Sequence, residues 1–469
     1  MATIPSDTRT RRIAVEQVLV PQAELVLEPL PQLHLRGRTL DLTVGSDSIL
    51  EALAELAQGA DVEGAAARSK VTQDLRSALP WSMLLRKLDA AGALLYRLQG
   101  SAGGPFAELV PVTRGPVALP PRTRDLTEWT PNRAATVRIE GEQLVLQAPD
   151  SWCQVYLSPS AAAAWAEVAA RQVPTTPWWP EFARMLAAAG ALREKPPAPE
   201  EMLWGVAEWA AYVHSRLPDT VSGFAGTYRG AKIVPVPPAH WDPGATTVVD
   251  LPTPDLELLA RTDPSFTTVS EARRSRREFD GDRPITLEQL SELLYRVARV
   301  RGVRRGAGAE AVDRPVPTGG GIHEIELFVA SQQCDGLDPG LWWYDGHEHR
   351  LVQIAGVGRD LERLVGFAAN ATLQTKPPQV MLQFAARPAR LLTKYESIGY
   401  ALMAKNAGVL MHAVYLAAEA MGLATCAVGA GDGSAFAAVT GRGLAELAPI
   451  GEMTLGSRLP EGVDEEGAG

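Results

Sequence analysis

The segment 271–279 reads EARRSRREF and sets Arg273, Ser275 and Arg277 at alternating positions. Guanidinium forks match the oxygens of a phosphate group, and a hydroxyl between two of them adds a further hydrogen bond. Ser457 and Arg458 place another hydroxyl and cation after the strand-like stretch 453–455. Between these two regions, the loop PTGGGIH at 317–323 contains Thr318, Gly319 and Gly320 and runs into 325–330, whose alternation predicts a buried strand. Glycines there let a flat ring come close to the backbone. An anion clamp together with a close backbone floor is what a planar, phosphate-bearing cofactor requires. Without the glycine loop, an arginine cluster ahead of a helix reads as a solvated face.

Lys394 and Tyr395 lie just before an alanine-rich helix predicted over 397–421. With ordinary pKa values of about 10.4 and about 10, both are weak bases at neutral pH. Burial or neighbouring cations would have to shift one of them, and a desolvated lysine is the easier base. From the residues alone, the pair reads as a helix N-terminus with a snorkelling lysine and a buried tyrosine. The stretch GAGDG at 429–433 lacks the full dinucleotide-binding pattern, and no Walker, HExxH or GxSxG motif occurs. Cys153, Cys334 and Cys426 stand far apart without zinc-site spacing, so buried reduced thiols and no metal site are expected.

These residues need a framework. Thr286 and Gln289 form a capping-box pattern, and Leu287, Leu290, Leu294 and Val297 then share one face of a helix. Upstream, LDAAGAL at 88–94 and LAAAGAL at 186–192 form an internal repeat, each a short helix stopped by Gly92 or Gly190. Helices opening on serine are predicted over 48–58 and 158–171, and strands over 13–21, 39–44 and 136–147, the last broken by a turn at Gly141. Two small winged-helix-like modules follow, at 1–115 and 116–196. A Pro/Trp-rich linker with a docking helix over 200–217 is expected at 197–262, and a larger domain at 263–469. The interval 206–236 carries no repeat or catalytic signature. The fold class is α+β.

The bulk composition narrows the functions. At 469 residues, with 46% hydrophobic and 21% charged residues, the chain can bury several cores. A net charge of −10 speaks against a general affinity for nucleic acid or anionic membranes. The candidate recognition helices add little, with Arg86 and Lys87 in one and Arg184 in the other. Apolar runs such as 161–164 fall far short of the roughly 20 residues that span a bilayer. The first residues lack a signal-peptide core, so a cytoplasmic protein is expected.

The order RRSRREFDGDRPITLEQL, PVPTGGGIHEIELF, CDGLDPGLWWYDGHEH and LLTKYESIGYAL resembles the SagB-type dehydrogenases of thiazole- and oxazole-modified peptides, within the nitroreductase superfamily. The resemblance covers roughly 260–460, and the paired N-terminal modules are similar to those of the cyanobactin oxidases. It implies a nitroreductase-like fold binding FMN between two protomers. Arg273, Ser275 and Arg277 would hold the phosphate, ribityl chain and ring edge, and Thr318, Gly319 and Gly320 would lie beside the ring. Gly429 and Ala430 would supply backbone amides, and Ser457 and Arg458 further phosphate contacts. Lys394 and Tyr395 would be the catalytic acid–base pair, with the order of roles open. KNAGV at 405–409 departs from the acidic residue and Gly-His pair of many relatives.

The implied reaction is oxidation of peptidyl thiazoline or oxazoline rings to aromatic azoles, a proton going to a base and a hydride to FMN. Implied partners are an azoline-containing precursor peptide, cyclodehydratase or YcaO-type enzymes of the same pathway, and a second copy of the chain. The N-terminal modules look like peptide clamps that add a strand to a sheet edge. Two alternatives stand beside this reading. One is an NAD(P)H oxidoreductase of small molecules, which would leave the Lys-Tyr pair without a purpose. The other is a flavin-free scaffold presenting the precursor peptide.

Overall fold

A computed structural model describes residues 15–28, 30–36, 38–100, 104–217, 226–305, 308–374 and 376–460, so the stretch read for targeting lies largely outside them. The chain divides into Met1–Gly223 and Phe224–Gly469.

In the C-terminal unit the capping box after 285 forms as read. Thr286 Oγ1 accepts from Gln289 N at 3.3 Å, and Gln289 Oε1 accepts from Thr286 N at 3.1 Å, opening the helix Leu287–Ala298. Leu290, Leu293, Leu294 and Val297 are buried, each contributing about 1.5–3 kcal/mol by leaving water. They pack on a seven-stranded antiparallel sheet. Its strand order is Val248–Asp250, Arg350–Ala355, Gly340–Asp345, Ile325–Ser331, Val380–Ala386, Ala448–Ser457, Leu423–Val428. Alternation along Ile325–Ser331 sends Ile325, Leu327 and Val329 to one core and Phe328 and Ala330 to another. The first core is closed by Leu287–Ala298 and the long helix Gly399–Ala420, the second by Arg359–Ala371 and Gly433–Thr440. Both faces are therefore covered, and every residue of Ile325–Ser331 is buried.

Among the described residues, Gly399–Ala420 rather than the alanine run at 161–164 has the length and composition to cross a bilayer. Here Met403, Asn406, Ala407, Leu410, Val414 and Ala418 face the protein interior. Cys153, Cys334 and Cys426 are buried and none is in a disulfide.

Residues 226–262, expected as linker, contribute to this unit. Val248–Asp250 pairs with Arg350–Ala355 at the sheet edge. The carbonyls of Pro237, Pro238 and Ala239 accept from Arg390 and Arg387. The expected helix over 200–217 splits at Gly205 into a 3-10 turn, Pro199–Leu203, and the helix Val206–Arg216. Glu208 folds back to accept from Gly205 N at 2.9 Å, which starts a new helix there.

In the N-terminal unit the strands Ala23–Val26, Gln32–Leu35 and Arg38–Asp41 form a meander. Helices Asp47–Ala57, Val62–Ser69 and Leu75–Ala90 follow. A six-stranded sheet, ordered Val15–Leu19, Leu94–Gln99, Pro105–Pro111, Cys153–Leu157, Gln143–Gln147, Thr136–Glu140, runs through both expected modules, although each keeps its own apolar cluster. The repeat closes alike in both copies. Gly92 and Gly190 have φ of +70° and +67°. Ala93 N donates to Leu88 O and Ala191 N to Leu186 O, in the 6→1 pattern of a glycine-terminated helix. The first of these helices begins at Leu75 and runs through Pro80, well before the repeated peptide. The first helix, Asp47–Ala57, has Ser46 rather than Ser48 at its cap position, and the Ser46 and Ser48 hydroxyls bond each other and Ser77 instead of a backbone amide.

Candidate functional site

Lys394 and Tyr395 follow the short helix Pro388–Leu392, whose Arg390 is fully buried. Burial pushes its guanidinium pKa down to about 10. The side chain donates to three backbone carbonyls, Pro237 O at 2.9 Å, Glu310 O at 3.0 Å and Ile322 O at 2.7 Å. Ile322 follows the glycine loop directly, so one arginine ties the Lys-Tyr turn to that loop. Lys394 N and Tyr395 N bond back to Leu391 O, fixing the direction of both side chains.

Both side chains end at the loop. Gly320 has φ of +66°, and a Cβ added there would overlap the Tyr395 hydroxyl and lie 2.9 Å from Lys394 Nζ. Glycine at 320 is thus required by the backbone and by the space its neighbours occupy. Lys394 Nζ also lies 5.0 Å from the Tyr395 ring centroid. At Gly319 the nearest atoms to a Cβ would be those of the Leu402 side chain, at 3.2 Å. Gly319 N donates to Asn406 Oδ1 at 3.2 Å, and Thr318 Oγ1 accepts from His323 N at 3.1 Å.

A second wall comes from residues that showed no signature in the sequence. Gly226 bridges to Tyr395, and Tyr228 N donates to Lys394 O at 3.1 Å. Thr227 and Arg229 bind the Glu396 carboxylate at 2.9 and 2.8 Å. No single-sequence signal marks this contact, because the two segments lie 169 residues apart in the chain and meet only in the fold.

The arginine cluster lies toward the other end of the helix Gly399–Ala420. Ser275 Oγ and the Tyr415 hydroxyl are 2.9 Å apart, and the Arg273 guanidinium stands 5.3 Å from the Tyr415 ring centroid. Arg276 and Arg458 both pair with Glu419, at 2.7 and 2.9 Å. Arg276 N donates to Thr425 O, which lays the segment along the strand leading to Gly429 and Ala430, both exposed. Among the described residues Arg277 has no ion-pair partner. Ser457 Oγ lies 3.1 Å from both Asp280 O and Gln379 Nε2. Arg276, Tyr415 and Glu419, which the spacing did not single out, thus hold this cluster together.

Eight of the twelve expected residues therefore form two groups, Thr318, Gly319, Gly320, Lys394 and Tyr395 in one, Arg273, Ser275 and Arg458 in the other, while Arg277, Gly429, Ala430 and Ser457 share no described contact with them. Asn406 touches the first and Tyr415 the second, about 14 Å apart at the usual helical rise.

Residues 271–456 match the sequence model of the nitroreductase family. The match covers the C-terminal domain and less than half of the chain. A protein of Methanocaldococcus jannaschii named as a nitroreductase is 28% identical over 184 residues, covering 39% of this chain and 84% of its own length. A nitroreductase-type structure from Ralstonia eutropha is 24% identical and covers 48% of this chain and 96% of its own, with a TM-score of 0.36. A chain of the Escherichia coli microcin synthetase McbBCD complex, with truncated pro-MccB17 bound, is 18% identical and covers 51% of this chain and 89% of its own, at a TM-score of 0.34. A Desulfovibrio desulfuricans structure in complex with FMN covers 41% and 86% at 13% identity, with a TM-score of 0.27. The matched region contains the first group together with Arg273 and Ser275 of the second, and Arg458 lies just beyond its end.

Proposed function

We propose that this chain is an FMN-dependent azoline dehydrogenase that oxidises peptidyl thiazoline or oxazoline rings to azoles. The observation that carries this reading is the convergence of Lys394 and Tyr395 on the backbone of Gly320. A loop narrowed to glycine, with an amine and a phenol at its surface, is a place where a flat ring can lie and a substrate proton can be taken.

The residues present fit FMN. Arg277, without an ion-pair partner among the described residues, Arg273 over Tyr415 and the Ser275 hydroxyl offer donors for a phosphate. Arg458 Nε is buried without a hydrogen-bond partner. Bound there, FMN would supply the acceptor for the hydride that leaves the azoline ring. Lys394 or Tyr395 takes the proton from the neighbouring carbon.

The substrate that gives up the hydride is an azoline-bearing precursor peptide, so a cyclodehydratase or YcaO-type enzyme has to act first. Two copies of the chain are part of the reading. The helix Gly399–Ala420 leaves Tyr400 63% and Val409 39% exposed, with Ala404, Lys405 and Gly408 between them. A second copy over this face would bring further walls to the site.

The test is mass spectrometry of an azoline peptide incubated with the FMN-loaded protein. A loss of about 2 Da per ring, absent with Lys394→Ala and Tyr395→Phe, is expected. No mass change with several azoline peptides, together with steady NADPH oxidation on a quinone or nitroarene, would replace this reading with a small-molecule reductase.

A further inference from the structure

Asn406 stands in the KNAGV segment of the long helix, and neither the flavin contacts nor the acid–base pair uses it. Its amide spans two partners that are distant in sequence. Oδ1 accepts from Gly319 N at 3.2 Å, and Nδ2 donates to Glu324 Oε1 at 2.8 Å. Both the donor and the acceptor of one side-chain amide are therefore committed, and both partners lie in the segment around the glycine loop.

Glu324 is the less ordinary member. It is fully buried, and its Oε2 has no hydrogen-bond partner among the described residues. Burial also raises its carboxyl pKa. The nearby cations do not compensate it by pairing. Arg390 is spent on the carbonyls of Pro237, Glu310 and Ile322, Arg314 donates to Ile325 O, and Arg387 binds Glu326 and the carbonyls of Pro238 and Ala239. A buried carboxyl oxygen without a partner costs the fold more than an apolar side chain of similar size would. Stability alone gives no reason for a glutamate here, whereas orienting the Asn406 amide does. An asparagine amide can turn end for end, and an acceptor at Glu324 holds its oxygen toward Gly319.

Asn406 and Thr318 are also what fixes the loop from outside its own backbone. Gly319, Gly320 and Gly321 carry no side chains to pack, and Gly320 and Gly321 both have positive φ. Such a triplet has wide conformational freedom. The Gly319 amide is held by Asn406, and Thr318 Oγ1 holds the far end through His323 N.

We propose that Glu324 and Asn406 are positioning residues which lock the Thr318–Gly319–Gly320 loop in the turn that meets Lys394 and Tyr395. This rests on the reading of the loop as the floor of the FMN site. Neither residue touches the reacting atoms. Asn406 acts through the Gly319 amide, and Glu324 acts through Asn406.

The pair can be tested by reversing one hydrogen bond. Asn406→Leu removes both bonds. Asn406→Asp keeps an acceptor for Gly319 N but sets a second carboxylate against Glu324. The double variant Asn406→Asp with Glu324→Gln restores a donor–acceptor match of opposite polarity, because the glutamine amide donates to the aspartate. Two readouts are taken on the full-length protein: amide hydrogen exchange of the peptide covering 318–321 without FMN, and FMN affinity by fluorescence titration. Asn406→Leu and Asn406→Asp are expected to speed loop exchange and weaken FMN binding by at least about tenfold, the scale of disrupting a buried polar contact. The double variant is expected to recover most of both, to within about threefold of wild type. Loop exchange unchanged in Asn406→Leu, or a double variant no better than Asn406→Asp, would overturn the proposal. If Asn406→Leu does not fold, the comparison of Asn406→Asp with the double variant decides alone. A wild-type chain that binds no FMN while the exchange pattern follows this order would instead sink the functional reading and leave the positioning roles standing.

Discussion

The two ends of the helix Gly399–Ala420 solve different problems by different physics. At the Asn406 end the site is steric. A Cβ at Gly320 would collide with Tyr395, and the loop is held by single hydrogen bonds to side chains that have no freedom left. At the Tyr415 end it is electrostatic. Glu419 holds Arg276 and Arg458 together, while Arg273 and Arg277 stay out of ion pairs among the described residues. A steric site fails when atoms are added, whereas a charge cluster fails when a counter-ion is removed.

The largest expected effect is at the steric end. Gly320→Ala adds a methyl where Tyr395 and Lys394 already stand, and forces alanine to φ of +66°. Turnover should fall by at least about tenfold, with about 1–3 kcal/mol of stability lost to backbone strain. Gly319→Ala meets the flexible Leu402 side chain first and should stay within about threefold of wild type. Equal effects of the two substitutions would remove the steric account of that end.

Next in size is Glu419→Gln. Its side chain is 7% exposed and serves two arginines, so its loss leaves two cations facing each other. We expect a drop of about 2–3 kcal/mol, read from denaturant midpoints, since breaking a buried pair costs more than the pair contributes net. A drop that vanishes in high salt would show the cluster to be a surface feature.

His323 gives a pH signature to the steric end. Burial, with Arg314 and Arg390 adding to it, pushes its pKa from 6.5 down to about 3. The unfolded chain binds that proton first, so this residue's contribution to stability is intact above pH 6.5 and is lost as pH falls toward 3. Glu324, whose pKa is raised, works in the opposite direction. His323→Asn tolerates the positive φ at that position and should flatten the fall in stability between pH 7 and pH 5, as measured by urea unfolding. An unchanged slope would mean that His323 is not the group that titrates.

The smallest effect is expected for Ser275→Ala. It loses one hydrogen bond to Tyr415, worth about 1 kcal/mol. FMN affinity should weaken more than stability does. The reverse order would make Ser275 a structural residue.

The local rules of the chain were readable without the structure. Periodicity after the capping box at Thr286 placed a helix whose observed start is the same residue. The glycines at 92 and 190 adopt the left-handed geometry that ended each repeat on paper. The motif order at 273–277, 318–320, 394–395 and 457–458 was enough to indicate a nitroreductase-like domain, because each motif is written in contiguous residues. Boundaries fared less well. The Ser46–Ser48–Ser77 network shifted a cap, and Gly205 divided a helix, because each depends on what a side chain meets rather than on its type.

What the sequence determined by itself was therefore the set of chemical groups and the elements carrying them. Only the tertiary structure decided that Gly226 and Tyr228 wall the Lys-Tyr turn, that Glu419 gathers Arg276 and Arg458, and that Asn406 joins Gly319 to a buried Glu324. The physical reason is range. Caps, turns and amphipathic faces arise between residues a few positions apart, and their rules can be read along the chain. Buried polar partners are chosen by which segments the packed sheet brings within about 3 Å, and no local pattern encodes that choice.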